Sequence, residues 1–192
     1  MRTTLATTVA WLAAAGLAGT AQAQLIDFEG LGQGTPVTTQ YASQGVIFGT
    51  TSPDGPASIS IFSGFFGSDV LCNATDGGID RRLTLVMDFT TPITQIEFDF
   101  NSAGTPSSGF MFPIRFYSGG SLVLTDGLME NGSAWTLDIV YAGLSNVDRI
   151  EIDSASSSWL FGVDNMEFVQ VPAPGSLALL GLGALAAGRR RR

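Results

Sequence analysis

The sequence predicts an all-β fold, a single antiparallel β-sandwich of jelly-roll type, preceded by a signal peptide and followed by a C-terminal transmembrane helix. Three observations support this prediction. Polar and apolar residues alternate along short segments, turn-forming residues separate those segments at intervals of about ten residues, and the central region has no helical period. Short strands with one polar face are typical of antiparallel sandwiches.

The clearest predicted strand covers residues 93–100. Ile96 and Phe98 point to one face of this segment, and Glu97 and Asp99 point to the other. We therefore expect the apolar face to be buried and the acidic face to be exposed. The other predicted strands are residues 25–29, 45–50, 58–62, 83–89, 110–117, 121–125, 135–140, 147–153 and 161–169.

Turn-forming sequences lie between the predicted strands. Glycine supplies positive φ angles and proline fixes φ near −65°, so both residues favour chain reversals. The turn sequences are Pro53-Asp54-Gly55, Asp76-Gly77-Gly78, Ser118-Gly119-Gly120 and Asn131-Gly132. With no internal repeat and about 150 residues, the central region is expected to form one domain, residues 24–170.

The central region is strongly acidic. All 17 Asp and Glu residues lie in it, against four arginines and no lysine, which gives a formal charge of −13 where the whole chain has −8. Such a surface repels nucleic acids and anionic polysaccharides, and it favours divalent cations and neutral ligands. Binding of nucleic acid is therefore excluded.

The composition argues against an enzyme. The chain has no histidine, which removes Ser-His-Asp and Cys-His catalysis and histidine-based metal hydrolysis, and it disfavours a zinc site. A pair of carboxylates could still serve a surface glycosidase, but 17 acidic residues make some such pair inevitable. The single cysteine, Cys72, cannot form an internal disulfide and is expected to be a buried apolar residue; a free thiol or a dimer link are the alternatives.

The N-terminus has the pattern of a secretory signal peptide. Arg2 supplies a positive start, residues 5–17 are apolar, and Ala21-Gln22-Ala23 places small residues at a cleavage site. We predict cleavage after Ala23, which makes residues 1–23 the signal peptide. An uncleaved N-terminal anchor is the alternative.

The C-terminus combines three elements in residues 171–192. A helix-breaking segment comes first, then the apolar run 176–187, and then four arginines that stay on the cytoplasmic side of a membrane. The apolar run would span about 20 Å as a helix, less than the ~30 Å of a bilayer core. The helix-breaking segment is Val171, Pro172, Ala173, Pro174 and Gly175, and the arginines are Arg189, Arg190, Arg191 and Arg192.

This order of elements resembles the PEP-CTERM sorting signal of Gram-negative bacteria. The resemblance implies export, transient residence in the inner membrane, processing by an exosortase-type enzyme, and release to the cell surface or extracellular matrix. The central Glu of the family motif is Ala173 here. A simple membrane anchor without processing is the alternative.

The two ends of the central region, residues 26–31 and 161–168, resemble the first and last strands of galactose-binding-like and other carbohydrate-binding jelly rolls. The resemblance implies that these strands lie side by side and that Glu29 and Asp164 share a structural calcium ion, with Asp27 and Asn165 as possible neighbours. Calcium takes six to eight oxygen ligands, which carboxylates and loop carbonyls supply. The alternative is that these residues are solvated acids at strand ends.

Aromatic residues in loop-like sequence are candidates for stacking on sugar rings, which need a flat apolar face beside hydrogen-bonding groups. Phe65 and Phe66 lie among glycines, and Trp159 follows a run of small residues. Core packing is the alternative for each of them. Together these features predict a non-catalytic exported protein of the cell envelope or extracellular matrix that associates with exopolysaccharide. A calcium-stabilised carbohydrate-binding module is the main alternative.

Overall fold

The computed structural model describes residues 23–51, 60–63, 68–74, 83–103, 111–129, 136–154 and 160–171. Every strand pair in these residues is antiparallel. The strands are β1 (Gln24–Ile26), β2 (Val46–Thr50), β3 (Ser60–Ser63), β4 (Asp69–Cys72), β5 (Leu85–Ala103), β6 (Met111–Ser118), β7 (Ser121–Met129), β8 (Thr136–Ile152) and β9 (Leu160–Gln170). A 3₁₀ turn, Ala42–Gln44, precedes β2. The predicted all-β class is confirmed.

The strands form an antiparallel sandwich of jelly-roll type in which β5 and β8 belong to both layers. In the first layer, the start of β5 lies between β2 and the end of β8, and β6 and β7 follow. In the second layer, the rest of β5 lies between β9 and the start of β8, and β9 also pairs with β1 and β4. The first and last strands are therefore neighbours, as the resemblance to jelly rolls implied.

The two long strands explain why the structure has fewer strands in these regions than predicted. The segments 83–89 and 93–100 are joined in β5, and the segments 135–140 and 147–153 are joined in β8. Pro92 lies where β5 passes between the layers, and its carbonyl oxygen accepts a hydrogen bond of 2.7 Å from the Val171 amide. Proline has no backbone N–H and therefore removes one hydrogen bond from the strand pairing. At this irregular position the loss does not end the strand.

Strand β4 was not predicted. Its residues Val70, Leu71 and Cys72 are all completely buried, so the segment has no alternation of polar and apolar residues. Cys72 is buried, as expected from the sequence, and forms no disulfide. Its neighbours form a small apolar cluster separate from the main core.

The main core lies between the layers and follows the predicted alternation. Ile96 and Phe98 in β5 and Ile150 and Ile152 in β8 are fully buried. Aromatic rings dominate this core; Phe28, for example, packs edge-on against other rings at centroid distances near 5.5 Å. Burial of side chains of this size contributes roughly 2–3 kcal/mol each, which allows the domain to fold without a disulfide.

The turn predicted at Ser118-Gly119-Gly120 joins β6 to β7. Gly119 and Gly120 both have positive φ, as a two-residue turn of type I′ requires. The other three predicted turns lie entirely outside the described residues. In the part of the chain that is described, no helix is long and apolar enough to cross a membrane. The predicted signal peptide up to residue 22 and the sorting segment after Val171 lie outside that part.

Candidate functional site

A cleft with a volume of about 290 Å³ opens on the outer face of the second layer. It lies across four neighbouring strands. Leu25 of β1 is in register with Glu167 of β9, Glu167 is in register with Glu97 of β5, and β5 pairs on its other side with β8, which carries Asp138. The described residues that line the cleft are Leu25, Glu97, Asp99, Asp138, Asn165 and Glu167.

Two backbone irregularities shape the cleft. Asp138 in β8 and Asn165 in β9 have φ angles of 55° and 47°, in the left-handed region. The strand register shifts beside both residues. Bulges of this kind turn a side chain away from the regular pleat and often lie next to binding sites. Asp and Asn tolerate this backbone conformation better than most residues do.

Asp99 connects the two irregularities. Its Oδ1 accepts a hydrogen bond from the Asp138 amide, and its Oδ2 accepts one from Asn165 Nδ2, both at 2.9 Å. With both carboxylate oxygens engaged and only 9% of the residue exposed, Asp99 holds the cleft walls together. Glu97 and Glu167, which are half-buried, are the carboxylates that face the opening.

The cleft carries strong negative charge. In the β5–β9 pair, Glu97 lies directly opposite Glu167, and Asp99 lies directly opposite Asp164. Residues of like charge therefore face each other at two positions of this strand pair. Such cross-strand pairs are unfavourable unless a cation or a donor group satisfies them. None of the described residues lining the cleft is basic.

The described arginines lie in the first layer and are paired there. Arg115 forms an ion pair of 3.2 Å with Asp153, and Arg149 forms ion pairs with Asp88 and Glu151 at 3.6 and 3.0 Å. The cleft therefore presents hydrogen-bond acceptors and negative charge to a ligand, which favours hydroxyl groups and cations and repels anions.

Of the four residues predicted to bind calcium, the structure brings Glu29 and Asp164 together at the start of β4. Ser68 Oγ donates a hydrogen bond of 2.9 Å to Asp164 Oδ2, and the next residue, Asp69, donates its amide to Glu29 Oε1 at 3.2 Å. Burial raises the pKa of Asp164, and the carboxylates of Asp99 and Glu29 raise it further, against hydrogen bonds from Ser68 and the Asn165 amide that lower it.

The other two predicted ligands, Asp27 and Asn165, have hydrogen-bond partners of their own. Asp27 Oδ1 accepts a hydrogen bond of 3.2 Å from the Glu29 amide. Burial, with a smaller contribution from the Asp27 carboxylate, raises the pKa of Tyr41. The Asn165 side chain belongs to the cleft. Within the described ranges, no three Asp, Glu or Cys residues are grouped so that they could hold a metal ion. Backbone carbonyls or water would have to supply most ligands of a calcium ion there.

The predicted sugar-stacking residues Phe65, Phe66 and Trp159 lie outside the described residues, as do the sorting residues after Val171. Conversely, the sequence did not reveal the cleft. The alternation in residues 93–100 placed Glu97 and Asp99 on the polar face, but nothing local indicated that Glu167 and Asp138 would lie beside them. Cross-strand neighbours are separated in sequence by about 40 to 70 residues, as the bonds of Asp99 illustrate.

The chain carries a recognised sorting sequence. Residues 170–192 match the family described as the PEP-CTERM protein-sorting motif. This match confirms the resemblance inferred from the C-terminal residues, and it implies export and sorting at the membrane. A comparison with curated proteins gave no match.

The solved structures similar to this chain include carbohydrate-binding modules. A mutant of CBM29-2, a family 29 module, is 13% identical, with a TM-score of 0.46 over 77% of this chain and 91% of that one. The family 32 module of C. perfringens NanJ, in complex with galactose, is 13% identical, with a TM-score of 0.40 over 70% and 98%. TmCBM61, in complex with β-1,4-galactotriose, is 8% identical, with a TM-score of 0.41 over 71% and 100%. At TM-scores below 0.5, these similarities assign neither a ligand nor a site to this chain.

Proposed function

We propose that the mature protein is an exported, non-catalytic protein of the cell envelope or extracellular matrix that associates with neutral exopolysaccharide. The observation that carries this proposal is the cleft lined by Glu97, Asp99, Asp138 and Glu167. Sugar hydroxyls donate hydrogen bonds, and carboxylates accept strong ones. The apolar side chain of Leu25, which is half-exposed, offers a surface for the face of a sugar ring.

The size and charge of the cleft restrict the ligand. Its volume lies at the lower end of the range for small-molecule sites, about 300 Å³, so it suits a short stretch of a glycan chain. Polysaccharides that carry uronate or sulfate groups would meet four carboxylates in the lining. We therefore expect neutral glycans to bind and acidic glycans to be rejected.

Binding of the exported protein to an array of neutral and acidic glycans tests this function. A hydrogen bond to a carboxylate weakens by about 1 kcal/mol when the acceptor becomes a neutral amide, so Glu97→Gln should weaken binding of a neutral glycan by about fivefold for each hydrogen bond that Glu97 accepts. Asp88→Asn, which removes an exposed carboxylate of β5 from the other layer, is the matched control and should bind normally. Absence of binding to any neutral glycan, or an equal loss in both variants, would refute the proposal. Hydrolysis of a bound glycan would instead favour the alternative of a surface glycosidase.

We also propose that a calcium ion bound at Glu29 and Asp164 joins the two terminal strands. The support is local: two acidic side chains converge on Ser68 and Asp69, and Asp164 is only 5% exposed although its neighbours are acidic. A cation would offset the repulsion between these carboxylates. Its role would be structural, because it would tie residues after β1 to residues in β4 and β9.

Thermal unfolding with calcium and with a chelator tests the ion separately from glycan binding. Calcium should raise the Tm of the exported protein by several degrees, and Glu29→Gln should abolish that rise while Asp88→Asn retains it. An identical Tm in calcium and chelator would eliminate the site and would leave the glycan proposal intact.

The sorting step has its own test. We propose that an exosortase-type enzyme processes the chain in the region of Pro172, Ala173 and Pro174, although Ala173 stands in place of the Glu of the family motif. Mass spectrometry of the exported protein should find a C-terminus near these residues. Recovery of Arg192 on the mature protein would show instead that the tail is an uncleaved anchor.

A further inference from the structure

A row of outward-facing side chains crosses the second layer at the level of the cleft. Leu25 of β1, Glu167 of β9, Glu97 of β5 and Val140 of β8 are successive register partners on four neighbouring strands. Side chains that lie directly opposite each other on paired strands share one face of a sheet. These four side chains therefore form a line, which we call the cross-strand row, with an aliphatic side chain at each end and two carboxylates in the middle.

The two ends of the row are exposed apolar surface. Among the described residues, only two large hydrophobic side chains of the second layer are exposed, Leu25 (52%) and Val140 (48%). Their neighbours Ile26 and Tyr141 point the other way, into or against the core. Val140 is not among the residues that line the cleft, so it adds a second apolar surface on the side opposite Leu25. Sites for small neutral ligands combine apolar surface with a few placed polar groups, as this row does.

The strand order fixes the length of the row and leaves both of its ends open. Neighbouring strands lie about 4.8 Å apart, so Leu25 and Val140 are separated by roughly 14 Å. Among the described strands, β1 pairs only with β9, and the first half of β8 pairs only with β5. Both ends of the row therefore lie at strand edges, and a chain molecule that follows the row can continue past either end.

We infer that the cross-strand row binds an internal stretch of a straight, neutral glycan chain that lies across the strands. This inference rests on the proposed function, and it specifies which chains that site takes. The C–H faces of two sugar units lie on Leu25 and Val140. Hydroxyl groups of the units between them donate hydrogen bonds to Glu167 and Glu97, which also relieves the repulsion between these opposed carboxylates.

The spacing of the row selects the length and shape of the glycan. Each unit of an extended chain advances by about 5 Å, close to one strand spacing, so about three to four units are needed to reach both aliphatic ends. A single sugar or a disaccharide reaches only one end. The chain must also be straight, as it is when 1,4 linkages join equatorial positions in β-linked glucose or mannose. In β-linked galactose the bond at O4 is axial, and the chain bends away from the row.

Titration calorimetry of the exported protein with β-1,4-linked oligosaccharides of two to six units tests this inference. In the better-bound of the glucose and mannose series, the affinity should rise at least about fivefold from two units to four, and should change by less than about twofold from four units to six. The galactose hexasaccharide should bind at least about fivefold more weakly, because a bent chain reaches only one end of the row. A hexasaccharide that carries bulky groups on both terminal sugars should bind as tightly as the unmodified one, because both ends of the row are open.

The variant Val140→Ala isolates the end of the row that lies outside the cleft. It should weaken binding of the tetrasaccharide about five- to tenfold, whereas a disaccharide should lose at most about twofold, because the Leu25 end remains available to it. Val123→Ala is the matched control: Val123 has nearly the same exposure, 49%, but lies on β7 in the first layer, so binding should be unchanged. Circular dichroism should show both variants folded, since both side chains are half-exposed.

Failure of this inference can be told apart from failure of the proposed function. A wild type that binds no neutral glycan at all refutes the proposed function and this inference with it. A wild type that binds some neutral glycan but neither the glucose nor the mannose series overturns this inference alone. The same holds if the disaccharide binds as tightly as the tetrasaccharide, if the galactose hexasaccharide binds as tightly as the others, if the end-capped hexasaccharide does not bind, or if Val140→Ala and Val123→Ala bind alike.

Discussion

The substitution Asp164→Asn should stabilise the protein at neutral pH in the absence of calcium. Asp164 is 5% exposed, lies opposite Asp99 and is close to Glu29. An asparagine has the same shape: its oxygen can still accept from the Asn165 amide, and its Nδ2 can donate to the hydroxyl of Ser68, which rotates to accept. The substitution therefore removes a charge while preserving both hydrogen bonds.

The expected gain in the free energy of unfolding is the difference between two opposing effects. Burial of the charged carboxylate is the largest destabilising effect, and repulsion from Asp99 and Glu29 adds to it; together they cost roughly 3 kcal/mol. Against this, two hydrogen bonds to a charged acceptor, at 2.8 and 2.9 Å, become neutral ones and lose about 1 kcal/mol each. A net stabilisation of about 1 kcal/mol remains, which should raise the Tm by about 3 °C in a domain of this size.

The pH dependence gives the sharpest test. Because the folded-state pKa of Asp164 is raised above its ordinary value of 3.8, the folded protein binds this proton more tightly than the unfolded chain does. Stability of the wild type therefore falls as pH rises from 3.8 through the folded-state pKa. Asp164→Asn lacks this loss, so its advantage should be small below pH 3.8 and should reach its full value above the folded-state pKa.

Urea unfolding in chelator, between pH 3.5 and 7.5, measures this advantage directly. Asp88→Asn serves as the control, because it removes a carboxylate that is paired at the surface with Arg149 and should change the free energy of unfolding by less than about 1 kcal/mol. A variant that is less stable than the wild type at pH 7.5, or a gain that is equal at both ends of the pH range, would refute the reasoning.

Three further predictions concern the core and the backbone. Phe98→Ala should lower the free energy of unfolding by about 3–5 kcal/mol in urea titrations, because it empties a fully buried site; a loss below 1 kcal/mol would contradict that burial. Gly45→Ala should lower the free energy of unfolding by at least about 1–2 kcal/mol in the same titrations, because Gly45 has a φ of 100° and a Cβ there would collide with the Gln170 amide. Gly49→Ala is the control, because a Cβ at Gly49 meets open space and should not destabilise the protein. Burial raises the pKa of the Cys72 thiol to about 12. Iodoacetamide at pH 8 should therefore modify the folded protein at least about a hundredfold more slowly than the urea-unfolded protein. Similar rates would argue against a buried thiol.

Much of the fold was predictable because its signals are local. Alternation in residues 93–100 correctly placed Ile96 and Phe98 in the core, and the two glycines after Ser118 correctly marked a tight turn. Strand β4 escaped prediction because burial on both faces removes the period of two on which strand prediction depends. The fusion of predicted strands into β5 and β8 also escaped, since a strand that crosses between layers keeps its backbone pairing while its local pattern is interrupted.

The candidate site was predictable only in part. Glu29 and Asp164 were named from a resemblance, and the structure brings them together beside Ser68 and Asp69. The cleft itself was not predicted. Its walls depend on the positive φ angles of Asp138 and Asn165. The residues next to them in the sequence do not predict a bulge at either position.

The sequence by itself determined the all-β class of this domain and the sorting motif that follows it. A sorting signal is recognised in an unfolded tail or a short helix, and a strand pattern depends on residues two apart. Both are therefore properties of contiguous residues. Only the tertiary structure decided which carboxylates share a cleft and which strand is left at the edge. Those properties depend on strand order and register, which bring Glu97 to Glu167 and leave β7 without a second neighbour among the described strands.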